Sequence, residues 1–130
     1  MFTFEQTTGK WFDPTGKYIA RGYAGGNCGK NPEGINNPDM QNVPKIGPLP
    51  CGLYTKGKLV PESHLGKDAI PLIPDENNEM FGRCDFYCHG DTEKPRCASE
   101  GCIILPYDIR MAFYNSDDNL LQVVAIYAQS

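Results

Sequence analysis

The chain has 130 residues, 40% hydrophobic and 22% charged, and its 12 basic and 16 acidic side chains leave a formal net charge of −4. That length gives one domain, residues 1–130, able to bury roughly two thirds of its unfolded surface on one core. The charge balance argues against a nucleic-acid-binding surface, and no run approaches the roughly 18 apolar residues of a membrane helix.

Eleven Pro and 14 Gly cut the chain into short elements and argue against a helical bundle. The first nine residues have neither a basic n-region nor an apolar h-region, so no export signal is expected. Residues 2–23 predict a hairpin. Phe2, Phe4 and Gln6 alternate with Thr3 and Glu5, Asp13-Pro14-Thr15-Gly16 is a turn, and Lys17 to Tyr23 returns. Residues 24–50 are rich in Gly, Asn and Pro and read as a long structured loop, a feature usually tied to function. Gly47 to Tyr54 forms a tight corner into a strand. Residues 59–76 alternate, but Pro71 and Pro74 make this an expected edge strand.

Phe81 to His89 is expected as a strand, followed by a polar loop over 90–101. Cys102-Ile103-Ile104-Leu105 opens a buried element. Pro106 leads a short helix, Tyr107 to Tyr114, and Leu120 to Tyr127 is a final buried strand. The expected fold is mainly β, a sandwich or barrel with one or two short helices.

There are six cysteines: Cys28, Cys51, Cys84, Cys88, Cys97 and Cys102. If one must stay a thiolate, at least one other is unpaired. The first pair to consider is Cys88 with Cys97, although spacing leaves the connectivity open.

Chemistry concentrates in Cys88-His89-Gly90-Asp91 and in Ser99-Glu100-Gly101-Cys102. A cysteine nucleophile needs help to ionise, because a free thiol has a pKa of about 8.5. A His at one strand end and a Cys at the next strand start can meet if the intervening loop folds back. Here His89 is the candidate base and Cys102 the nucleophile. Gly101 lets the backbone approach a substrate, and the N–H groups of Gly101 and Cys102 are candidate oxyanion donors. Ser99 is the candidate to orient the base.

The pattern His-Gly-Asp, then Ala-Ser-x-Gly-Cys-Ile, resembles the YkuD-type L,D-transpeptidase catalytic domain. Gly22-Tyr23-Ala24-Gly25, Gly29-Lys30-Asn31-Pro32, Gly47 to Tyr54 and Met80-Phe81-Gly82-Arg83 are similar to blocks of the type VI secretion L,D-transpeptidase effectors. These are antibacterial toxins that attack peptidoglycan. The resemblance covers roughly residues 4–127. Two positions depart from the wider family: Glu100 stands where a second His is usual, and Ile104 where Arg is usual.

The resemblance implies a YkuD-like β fold and a Cys102 acyl-enzyme. Cleavage falls between the L-centre of the third stem residue, diaminopimelate, and the D-alanine that follows it. Water, a free D-amino acid or another stem then resolves the intermediate, giving carboxypeptidase, exchange or cross-linking. An effector favours the first two. Gly90, Asp91, Arg83 and Tyr23 are candidate substrate contacts, with Arg83, Arg96 and Lys30 the cations available to substrate carboxylates. His64 reads as surface. No cofactor or metal is implied. The expected partners are peptidoglycan stems and a periplasmic immunity protein, and the expected route is secretion from the cytoplasm into a target cell's periplasm. The alternative is a non-catalytic wall-binding or inhibitor domain held by disulfides or zinc, although the cysteine spacings fit no common zinc pattern. A different cysteine acyl-transfer enzyme, sortase-like or an amidase, would use the same nucleophile and base.

Overall fold

The computed structural model describes residues 1–63, 65–91 and 99–128. β1 (Phe2–Glu5) pairs with β2 (Lys10–Phe12), and β2 pairs with β3 (Tyr18–Arg21), both antiparallel. The Asp13 turn forms as predicted: its Oδ1 accepts from Thr15 N and Lys17 N at 2.9 and 3.0 Å. The expected single hairpin is nevertheless three strands, because a turn around Gly9 divides the first arm. Gly9 sits at φ +77°, and a Cβ there would lie 2.0 Å from Gly22 O.

β4 (Tyr23–Ala24) leaves this hairpin. Two 3₁₀ turns, Pro32–Gly34 and Pro38–Met40, shape the long loop. Then come β5 (Gly52–Lys56), β6 (Val60–Ser63), β7 (Gly66–Pro74), β8 (Tyr87–His89), β9 (Ile103–Ile104), helix α1 (Tyr107–Asn115) and β10 (Leu120–Val124). The molecule is mainly β, as expected, with one α-helix among the described residues. Strand order is β3-β2-β1-β10-β5-β7-β8-β9-β4, with β6 also on β7; β1/β10 and β8/β9 are parallel pairs. The two ends of this path, β3 and β4, are separated in sequence only by Gly22. The sheet must therefore curl until its margins meet. At that seam a Cβ on Gly22 would stand 2.0 Å from Ile104 O.

Two expectations fail. The 59–76 segment is two strands, and only β6, paired among the described residues with β7 alone, is an edge: β7 lies between β5 and β8. Leu72 N donates to Phe86 O on the β8 side, so Pro71 faces the other way, where the neighbouring chain turns from β5 into β6. Its carbonyl accepts from Gly57 N at 2.8 Å there, and its missing N–H interrupts no ladder. The strand expected from Phe81 begins only at Tyr87. Phe81, Gly82 and Asp85 adopt φ of +55°, +73° and +63°, which are not strand conformations.

The core joins Phe2, Phe4, Trp11, Tyr54, Leu121 and Val123 from the long sheet to Phe86, Cys88, Ile103 and Leu105 near β8 and β9. α1 closes it with Phe113, whose ring meets Trp11 and Phe2 edge-on at 5.2 and 5.0 Å between centroids. Lys56 Nζ donates to Phe113 O and Ser116 O at 2.5 and 2.7 Å, capping the helix C-terminus with a cation.

Candidate active site

In the parallel β8/β9 pair, Cys88 lies opposite Ile103 and His89 opposite Ile104. Side chains alternate along a strand, so Cys88 and Ile103 point one way while His89, Ile104 and Cys102 point the other. Burial agrees. Cys88 and Ile103 belong to the main core, whereas His89, Ile104 and Cys102 lie outside it, though each is at most 8% exposed. Cys102 is two residues from the partner of His89, a diagonal relation that keeps side chains within reach. Tyr23 of β4 lies opposite Ile104 and joins the same face.

Sγ of Cys102 accepts a hydrogen bond from Tyr87 N at 3.4 Å. Burial pushes the thiol pKa up to about 11; the Tyr87 N–H and Arg83 pull it down, and the Glu100 carboxylate adds to the rise. Burial thus favours the protonated thiol, which needs a base before it can act as a nucleophile. Among the described residues no hydrogen bond joins Sγ to the imidazole at rest. His89 Nδ1 lies 3.0 Å from Gly90 O. A carbonyl can only accept, so Nδ1 carries the proton and Nε2 is the basic nitrogen.

Ser99 does not perform the role expected of it. Its hydroxyl has one proton, and that goes to Cys102 O at 2.7 Å; its oxygen accepts from Gly25 N at 2.8 Å and Gly101 N at 3.0 Å. No hydrogen bond joins Ser99 to His89. Ser99 holds the backbone at Cys102, and Gly90 O holds the His89 ring. The Gly101 N–H, expected as an oxyanion donor, is already bound by Ser99. The Cys102 N–H and the Tyr87 N–H are the backbone donors beside the sulfur.

Arg83 also differs from expectation. It is 8% exposed, and its Nη1 and Nη2 donate to the carbonyls of Gln41, Pro48, Gly47 and Glu100. The guanidinium stacks over Phe86 at 5.1 Å. It clamps the long loop to the segment before Cys102 and is not presented to substrate. Lys30 is exposed, and Arg96 and His64 lie outside the described residues.

Asp91 Oδ1 accepts from Tyr23 OH at 2.7 Å. Both line an open cavity of about 480 Å³ on the His89 side of the site, with Gly90, Ile104, Tyr107 and Arg110. The sequence reading missed Arg110. Its signal was a charge on the buried stripe of α1, three residues before Phe113.

Cys88 does not pair with Cys97 as first considered: it is a free, wholly buried thiol whose pKa burial pushes up to about 12. Cys97 itself lies outside the described residues. Cys28 is disulfide-bonded, whereas Cys51, Cys84 and Cys102 are free. Cys88 faces the core and Cys84 is exposed, so neither shares a face with His89 and Cys102. Among the described residues no group of three or more His, Cys, Asp or Glu side chains converges to hold a metal ion. None of their helices is long and apolar enough to cross a membrane.

No curated protein and no solved structure matches the chain. Residues 24–127, from β4 through β10, match the family model of the Tlde1 domain. That span contains His89, Ser99, Gly101 and Cys102 and takes in the whole strand that pairs with β1, so the chain belongs to the Tlde1 domain family of type VI secretion L,D-transpeptidase effectors.

Proposed function

We propose that this effector-family protein is a cysteine enzyme that cleaves peptidoglycan tetrapeptide stems before their terminal D-alanine. The observation that carries this reading is the shared face of Cys102 and His89, with backbone N–H groups turned to the sulfur. His89 Nε2 takes the thiol proton as Sγ attacks the carbonyl carbon of the third residue. The Cys102 and Tyr87 N–H groups are positioned to receive the developing oxyanion. His89 then returns the proton to the amine of D-alanine, the C–N bond breaks, and an acyl-enzyme remains. Water resolves it to a tripeptide, or a free D-amino acid resolves it to an exchanged stem. The same proposal places the enzyme in a target cell's periplasm, where an immunity protein would act by covering this face.

Incubation with disaccharide tetrapeptide tests the reading by chromatography and mass spectrometry. The intact protein should release D-alanine and leave tripeptide, and Cys102→Ala should release none while keeping its melting temperature. Neither product from the intact protein, or equal product from both, overturns it.

A further inference from the structure

Arg110 is 5% exposed, yet among the described residues its guanidinium makes a single hydrogen bond, Nη1 to Leu105 O at 2.7 Å. Nε is buried without a partner among them. Their one ion pair joins the N-terminus to Asp118, so no described carboxylate lies within ion-pair distance of Arg110, whose guanidinium otherwise stacks over the Tyr107 ring at 5.5 Å. A buried cation with so few partners is costly by itself and is stabilised by a docked anion.

The surroundings point the same way. Arg110 lines the 480 Å³ cavity, and so do Pro106 and Tyr107, where α1 begins. No side chain caps that helix end, so its first N–H groups are open to an anion, with Asp108 the acidic side chain of that turn. Arg21 adds a further cation to the lining, its Nε held by Thr8 O at 3.0 Å. Asp91 contributes the opposite charge. Gly90 keeps the approach open, since a Cβ there would stand 3.1 Å from Arg110 Nη1.

We propose that this cavity binds a zwitterionic amino-acid head at the end of the third stem residue's side chain, its carboxylate on Arg110 and the first turn of α1 and its ammonium on Asp91. The proposal rests on the proposed function above and names the substrate feature that site selects. Distance supports it. Ile104, in the cavity lining, is two residues beyond Cys102, about 7 Å along the strand. A side chain of lysine length covers that span from an acyl carbon held at Sγ. Meso-diaminopimelate carries a carboxylate at that end and L-lysine does not.

The test compares tetrapeptide stems with meso-diaminopimelate or L-lysine at position three, for the intact enzyme, Arg110→Met, Arg110→Lys and Asp91→Asn. The intact enzyme should show a KM about tenfold lower for the diaminopimelate stem, the size expected for one charge-assisted contact. Arg110→Met should erase that difference by raising KM on this stem alone, with kcat within about twofold, and Arg110→Lys should restore part of it. Asp91→Asn should raise KM on both stems, since both carry the ammonium. No preference in the intact enzyme, or an equal fall in kcat on both stems with Arg110→Met, overturns the proposal. A free D-amino acid presents the same head: if Arg110→Met raises the KM for D-methionine in exchange but not that for the stem, the cavity serves the acceptor and the proposal fails.

Binding separates the two readings. Calorimetric titration of Cys102→Ala with the free stem tripeptide ending in meso-diaminopimelate, and with its L-lysine analogue, needs no turnover. Selective binding by a protein inactive on every stem would sink the proposed reaction and leave the cavity standing. Turnover with unselective binding would do the reverse.

Discussion

Ser99→Ala separates two roles for one hydroxyl. The side chain has no exposed surface and forms three hydrogen bonds, two accepted from Gly25 N and Gly101 N and one donated to Cys102 O. Alanine leaves two buried N–H groups and a carbonyl without this partner. Each orphan costs about 1–3 kcal/mol, and relaxation of a short loop recovers part, so the net loss is about 3 kcal/mol. With a urea m-value of about 2 kcal/mol/M for a domain this size, the unfolding midpoint should fall by about 1.5 M. The nucleophile's backbone is then loosely held, and kcat/KM for D-alanine release should drop at least tenfold. Because Ser99 makes no hydrogen bond to His89, the acid limb of the pH–rate profile should stay where it is. An unchanged urea midpoint together with a displaced acid limb would refute this reasoning and return Ser99 to the role of orienting the base.

Gly101→Ala should cost activity more than tenfold and destabilise by about 2 kcal/mol or more in the same urea assay. Gly101 sits at φ +129°, and a Cβ there would lie 2.6 Å from Arg83 Nη2 and 2.7 Å from Phe86 Cε1. Alkylation of the free enzyme's Cys102 by iodoacetamide should accelerate about tenfold per pH unit from 7 to 10, because burial holds the thiol protonated to about 11; a plateau near pH 7 would show a thiolate at rest. Stability should fall as pH rises past 9. Cys88 and Cys102 have folded-state pKa values of about 12 and 11 against an ordinary 9.0, so above pH 9 the unfolded chain loses protons that the folded chain keeps. Melting temperatures from pH 8 to 11 should show this decline, and Cys88→Val should make it shallower.

Much of the site was visible in the sequence because it depends on local order. The turn at Asp13, the helix after Pro106 and the buried run that Cys102 heads all follow from short-range chemistry. That His89 and Cys102 share a face needed only that two successive strands lie side by side. What escaped depends on contacts distant in sequence. Arg83 looked like a surface cation, but its carbonyl partners Gln41, Gly47 and Pro48 come from a loop some 35–42 residues earlier. Pro71 read as an edge marker because nothing local revealed that its neighbour turns away at that point. Ser99 was placed correctly beside the chemistry, yet the direction of its single proton is a three-dimensional fact. Arg110 was unremarkable until α1 packed beside Gly90.

The position of β10 also governs when this protein can exist as a folded object. It pairs on one flank with β1 and on the other with β5. During synthesis the strands up to β3 and those from β5 onward have no common neighbour until residues 120–124 leave the ribosome. β1 and β10 meet across a long stretch of chain, with Gln122 and Thr3 bonded 119 residues apart, an ordering that delays folding until β10 has been made. A nascent or truncated chain ending before Leu120 would carry Cys102 and His89 on a sheet opened between β1 and β5, with both edges exposed to other strands. The closed sheet that frames Cys102 and His89 is thus withheld until β10 is in place.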